Sequence, residues 1–154
     1  MYVGDKCVLD LFGGRDPGFG PDSLVNIWSS GKSIASVLMT RMHDDKRLDL
    51  ADKVTKYWPE FGKNDKGDLL IEDIMRHEGG MSKFKNKVKV EHTWPENIKK
   101  NKIGQMIENE EIERPLGYKR AYHATTRDWI SNEIFRRAEP EGRTMGEYLK
   151  EEIV

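Results

Sequence analysis

The apolar positions change period several times along the chain. Residues 2 to 12 alternate or run apolar around Gly4-Asp5, with Tyr2 and Val3 on one side and Cys7, Val8, Leu9, Leu11 and Phe12 on the other, which predicts a β-hairpin. Gly13 to Asp22 then holds four glycines and two prolines in ten residues, a loop composition. It delivers the chain to an apolar, strand-like stretch, Leu24-Val25-Asn26-Ile27-Trp28. From Ser33, Ile34, Val37, Leu38 and Met42 recur at helical spacing with no glycine or proline among them, the strongest helix pattern in the chain. Residues 49 to 58 predict a short helical piece that Pro59 stops. Leu69, Leu70, Ile74 and Met75 form a further apolar stripe ending at Gly79-Gly80. Residues 82 to 102 hold seven lysines among scattered apolar positions and are expected to add little core. Two helices are expected to close the chain. One runs from about Thr125 to Ala138 with Ile130 and Ile134 inward, and the other follows Thr144, whose spacing to Glu147 makes a capping box.

Composition narrows the function classes. At 154 residues one domain is expected, with 36% apolar residues and four tryptophans available for a core. The 26 basic and 27 acidic side chains nearly cancel, so no overall field favours nucleic acid or an anionic membrane, and the lysine run reads as a solvated face. One cysteine, Cys7, gives no disulfide framework, and His43, His77, His92 and His123 have no paired metal-ligand spacing. The expectation is therefore no metal, no cofactor and no nucleic acid. No apolar run approaches a membrane span and the first residues lack a signal-peptide core, so a reducing, cytoplasmic setting is expected.

Candidate chemistry lies at Ser29-Ser30-Gly31-Lys32. A Ser-x-x-Lys match is expected about 0.7 times by chance from seven serines and sixteen lysines, and Ser82 to Lys85 is indeed a second. Context separates them, because only Ser29 opens a strongly periodic helix. Residues i and i+3 of a first helical turn face one way, so the Lys32 amine is expected to reach the Ser29 hydroxyl. Lysine can take the serine proton only when it is itself neutral, which a helix N-terminus and burial both favour. The Ser29 N–H is a candidate oxyanion donor. The plainer alternative is that Ser29 or Ser30 caps a helix while Lys32 is solvated.

The run Val25 to Ser33 resembles the nucleophile segment of the class C β-lactamase and esterase-like family. Leu48 to Val54 with Lys56 to Phe61, and then Leu70 to Met81, are similar to the family's following segments. Pro115-Leu116-Gly117 with Tyr122-His123-Ala124 resembles its Pro-Gly turn and its second motif, Tyr-x-Asn, with alanine in place of asparagine. That variant resembles the esterase-like and animal β-lactamase-like branches. The four segments run in family order from Val25 to Ala124.

The resemblance implies an α+β, β-lactamase/transpeptidase-like fold made of an N-terminal hairpin and a mainly helical lobe. It also implies a serine hydrolase acting through an acyl-enzyme on a small-molecule ester, amide or β-lactam. Ser29 would be the nucleophile, with Lys32 beside it, and Tyr122 the general base or acid, its phenol held acidic by Lys32. His77 and His123 would be structural neighbours. The family's third motif, Lys-Thr-Gly or His-x-Gly, has no counterpart before Val154. Residues 1–154 are therefore expected to form a single partial domain, C-terminally truncated, with the C-terminal sheet strands missing. An unpaired hairpin edge invites self-association, and a non-catalytic, protein-binding module is the alternative function.

Overall fold

The computed structural model describes residues 1–113 and 120–154. Two strands, β1 (Tyr2–Val3) and β2 (Lys6–Cys7), pair antiparallel with Tyr2 opposite Cys7. Among the described residues six α-helices follow: α1 (Gly31–Asp44), α2 (Ile71–Met75), α3 (Pro95–Lys99), α4 (Lys102–Asn109), α5 (Thr126–Ala138) and α6 (Met145–Glu152). The hairpin is shorter than the apolar run to Phe12 suggests, because a two-stranded ribbon with nothing packed on its face is marginal. Leu24 to Ile27 forms no strand either, and its apolar side chains are exposed.

α5 is the central element and packs against α1, α2, α4 and α6. α1 turns Ala35, Leu38, Met39 and Met42 into the core at i, i+3, i+4 and i+7 spacing, while Ile34 and Val37 lie on its exposed flank. The periodicity thus located the helix and two of its inward positions, Leu38 and Met42, while Ala35 and Met39 take the inward places expected of Ile34 and Val37. Helix α6 begins as expected: Thr144 Oγ1 accepts the Glu147 N–H at 3.2 Å, and the Glu147 carboxylate accepts the Thr144 N–H at 2.8 Å.

Pro59 begins a 3-10 turn, Pro59–Gly62, instead of only stopping the one before it, Val54–Lys56. The lysine-rich stretch does more than solvate. Ile98 is buried, Phe84 and Val88 pack against the core, and α4 places Ile103 and Ile107 within it. The i and i+4 spacing of those two isoleucines was the available signal, masked by the charge around them.

A buried polar network braces the far side of the core. Trp58 is wholly buried; its indole N–H donates to Glu108 Oε1 at 3.0 Å and the Arg137 guanidinium lies 4.1 Å from its ring centroid. Glu133, also wholly buried, pairs with Arg136 at 2.7 Å and Arg137 at 2.5 Å. Asn101 connects the groups, donating to Glu108 Oε1 and accepting from both arginines.

Candidate active site

Ser29 and Lys32 come from one sharp turn. Asn26 Oδ1 accepts the Trp28 N–H at 2.8 Å, and Trp28 takes a φ of 47°, a left-handed conformation that costs a bulky residue on the order of 1–2 kcal/mol. The 3-10 turn Trp28–Ser30 then leads directly into α1 and leaves Ser29 exposed just ahead of it. Ser30 is the N-cap residue of α1 and makes no side-chain cap bond, so neither serine acts as a cap acceptor. Among the described residues the Ser29 N–H has no acceptor.

Tyr122 arrives from the segment before α5, and two histidines fix that segment. His77, at φ 65° just past the end of α2, accepts the Ala121 N–H on its carbonyl oxygen and the His123 N–H on Nδ1, each at 3.1 Å. The His123 ring is buried between Ala121 O, 2.5 Å from Nδ1, and the Met81 N–H, which donates to Nε2 at 3.0 Å. An Nε2 that accepts leaves the ring proton on Nδ1. Gly79 permits this close packing, since a Cβ there would stand 2.6 Å from Ile74 Cδ1. Held in this way, the Tyr122 O–H donates to Ser29 Oγ at 2.7 Å.

Lys32 does not contact Ser29 directly. Its Nζ donates to Ala124 O at 2.7 Å and to Asp128 Oδ2 at 2.9 Å, and stands 5.8 Å from the Tyr122 ring centroid. The expected i, i+3 contact fails because Ser29 lies in the 3-10 turn before α1 and because a carboxylate is the stronger acceptor. Asp128 and Arg127, in the first turn of α5, are the side chains that the sequence reading missed. Arg127 donates to Lys32 O, Ser36 Oγ and Met75 O and pairs with Asp128 Oδ1 at 3.0 Å, tying α1, α2 and α5 together at the site. The i, i+4 relation of Asp128 to Ala124 was the only sequence signal. Pro115, Leu116 and Gly117 lie outside the described residues. Among the described residues no group of three or more His, Cys, Asp or Glu side chains could hold a metal ion, and no helix is long and apolar enough to cross a membrane.

The histidines predict a pH response. Burial pushes the His123 imidazole below the ordinary value of 6.5; burial, reinforced by the Arg127 charge, does the same to His77. With folded values depressed, the unfolded chain binds more protons just below pH 6.5, so stability is full above that pH and is lost as pH falls. Carboxylates enter only lower, below their ordinary 4.5. The melting temperature is expected to drop between pH 7 and pH 5; a flat profile there would contradict this placement of the rings.

The family model described as Beta-lactamase matches residues 1–154. The chain belongs to the β-lactamase family. It is 27% identical over 161 residues to the esterase/β-lactamase LipL of Mycobacterium tuberculosis, covering 99% of this chain and 35% of that protein. A penicillin-binding protein homolog from Caulobacter crescentus superposes with a TM-score of 0.74 at 31% identity, covering 88% of this chain and 35% of that one. EstA from Arthrobacter nitroguajacolicus gives a TM-score of 0.79 at 28% identity, covering 93% and 36%. The chain therefore spans about a third of the length of the relatives it matches. The β-lactamase/transpeptidase-like fold is that of these neighbours, of which the chain carries a mostly helical part with a two-stranded sheet. It is a hydrolase family, and its members here include esterases and β-lactamase-like proteins.

Proposed function

We propose that residues 1–154 form a single partial domain carrying the nucleophile of a serine hydrolase, which acts through an acyl-enzyme on a small-molecule ester, amide or β-lactam. The observation that carries this reading is the 2.7 Å hydrogen bond between Tyr122 and Ser29, two side chains 93 positions apart that the fold brings together. Tyr122, as phenolate, takes the Ser29 proton along that line. Ser29 Oγ bonds to the carbonyl carbon, and the carbonyl electron pair moves onto oxygen, facing the free Ser29 N–H. As the oxyanion collapses, the bond to the leaving group breaks and the Tyr122 O–H returns the proton to it. Water then cleaves the acyl ester by the same two transfers, releasing the acid and restoring Ser29. Lys32 Nζ places a positive charge 5.8 Å from the Tyr122 ring centroid, beside the path of the proton.

Treating the chain with a fluorescent phosphonate ester and mapping the adduct by peptide mass spectrometry tests the reading. One label per chain, on Ser29, is expected; adducts on Ser30 or Ser33, or none at all, would sink it.

A second reading, a module that works by association, is favoured by one observation. Leu11, Phe12, Val25, Ile27 and Trp28 are each more than half exposed, and among the described residues the two-stranded hairpin pairs with no further strand. Sedimentation equilibrium then shows mass rising with concentration, whereas a monomer throughout counts against it.

A further inference from the structure

We propose that Asp128 is a positioning residue that holds Lys32 as a fixed ammonium beside Tyr122 and Ser29, an inference that rests on the acyl-enzyme reading for its catalytic meaning. Several charges converge here, and the geometry separates them. Lys32 Nζ lies between one carbonyl, Ala124 O at 2.7 Å, and one carboxylate oxygen, Asp128 Oδ2 at 2.9 Å. Ala124 has no polar side chain to offer, so among the described residues Asp128 supplies the anionic partner of this lysine. The other carboxylate oxygen, Oδ1, accepts from Arg127 Nη1 at 3.0 Å.

An acidic residue in the first turn of a helix is often present only to meet the helix dipole. A carboxylate serving that purpose needs no partner beyond the helix. Asp128 instead has each oxygen engaged by a different cation, and those cations belong to different elements: Lys32 to α1, Arg127 to α5 itself. Arg127 is further anchored to the Lys32 carbonyl at 3.3 Å and to Ser36 Oγ at 2.6 Å. The carboxylate is thereby clamped from behind, and its free lone pairs are aimed at Nζ. Lys32 is in turn kept from pointing along α1 into solvent; its side chain is 14% exposed.

Two consequences distinguish this role from plain scaffolding. The positive charge near the Tyr122 ring becomes a permanent feature of the site, so proton traffic at Ser29 runs through the phenol and not through the amine. The lysine also becomes chemically quiet, because an ammonium paired with a carboxylate is not a nucleophile.

Competitive acetylation with acetic anhydride at pH 8, read peptide by peptide against Lys150 as an exposed internal standard, tests this on the whole chain. Asp128→Asn keeps the size of the side chain, which is 40% exposed, and removes only its charge. It is expected to raise Lys32 acetylation about tenfold, the factor by which losing a charge-assisted hydrogen bond frees the amine to reach solvent. Asp128→Glu is expected to restore the quiet lysine, which a purely structural role would not require. Equal Lys32 acetylation in wild type and Asp128→Asn overturns the proposal, as does an Asp128→Glu variant that behaves like Asn. The melting temperature of each variant checks that the fold persists. Phosphonate labelling forms a separate arm: if wild-type Ser29 takes no label, the acyl-enzyme reading fails while the acetylation result still decides the hold of Asp128 on Lys32.

Discussion

Replacing Tyr122 by phenylalanine is expected to slow phosphonate labelling of Ser29 by about 10² to 10⁴-fold, the usual worth of a positioned acid–base group, and replacing Ser29 by alanine to abolish it. The ring of Tyr122 makes its own contacts, 5.0 Å between centroids with His77 and 5.8 Å from Lys32 Nζ, and phenylalanine keeps them. Only the oxygen at the end of the 2.7 Å bond is lost. The labelling rate of the phenylalanine variant against that of the wild type is the decisive readout. A phenylalanine variant that labels at the wild-type rate would show that Ser29 loses its proton by another route.

Trp58→Ala is expected to destabilise the fold by about 3–5 kcal/mol, the range for removing a large buried aromatic side chain, and to lower the melting temperature by roughly 10 °C. The indole fills wholly buried space against Phe61, with centroids 5.3 Å apart, and its N–H holds Glu108 Oε1 at 3.0 Å. It also lies under the guanidinium of Arg137, whose charge burial disfavours. Trp58→Phe keeps most of the ring and leaves Glu108 still bonded to Asn101 at 2.9 Å, so it should lose about half as much. Urea unfolding of the two variants measures both; a loss below about 1 kcal/mol for alanine would mean that the cavity and the lost indole hydrogen bond are absorbed by repacking.

Much of this architecture was legible in the residues, because helical periodicity and capping are local. Helix α1 with its inward Leu38 and Met42, the positions of Ile130 and Ile134, and the Thr144 to Glu147 box all depend on neighbours within one or two turns. The juxtaposition of Ser29 with Tyr122 came only through the resemblance, since no local rule joins residues 93 positions apart. What escaped has physical causes. Helix α4 was hidden because lysines flank it and the charge outweighed Ile103 and Ile107 in the reading. Arg127 and Asp128 looked like ordinary first-turn polar residues until the chain folded back on Lys32. The direct Ser29 to Lys32 contact failed for the same reason, a competing acceptor supplied from 96 residues away.

Helix α5 buries eight of its thirteen residues, including the charged Arg127 and Glu133. One end of it carries the anchors of the Ser29 site and the other the brace under Trp58. Random substitution across the chain would therefore fall on very unequal ground. Residues 82 to 89, mostly outside the core, can absorb exchanges singly, whereas a change in α5 reaches both the reactive serine and the packing beneath it. Improvement of the chain by mutation is confined to routes that leave this one helix alone or alter it together with its partners on α1 and α4.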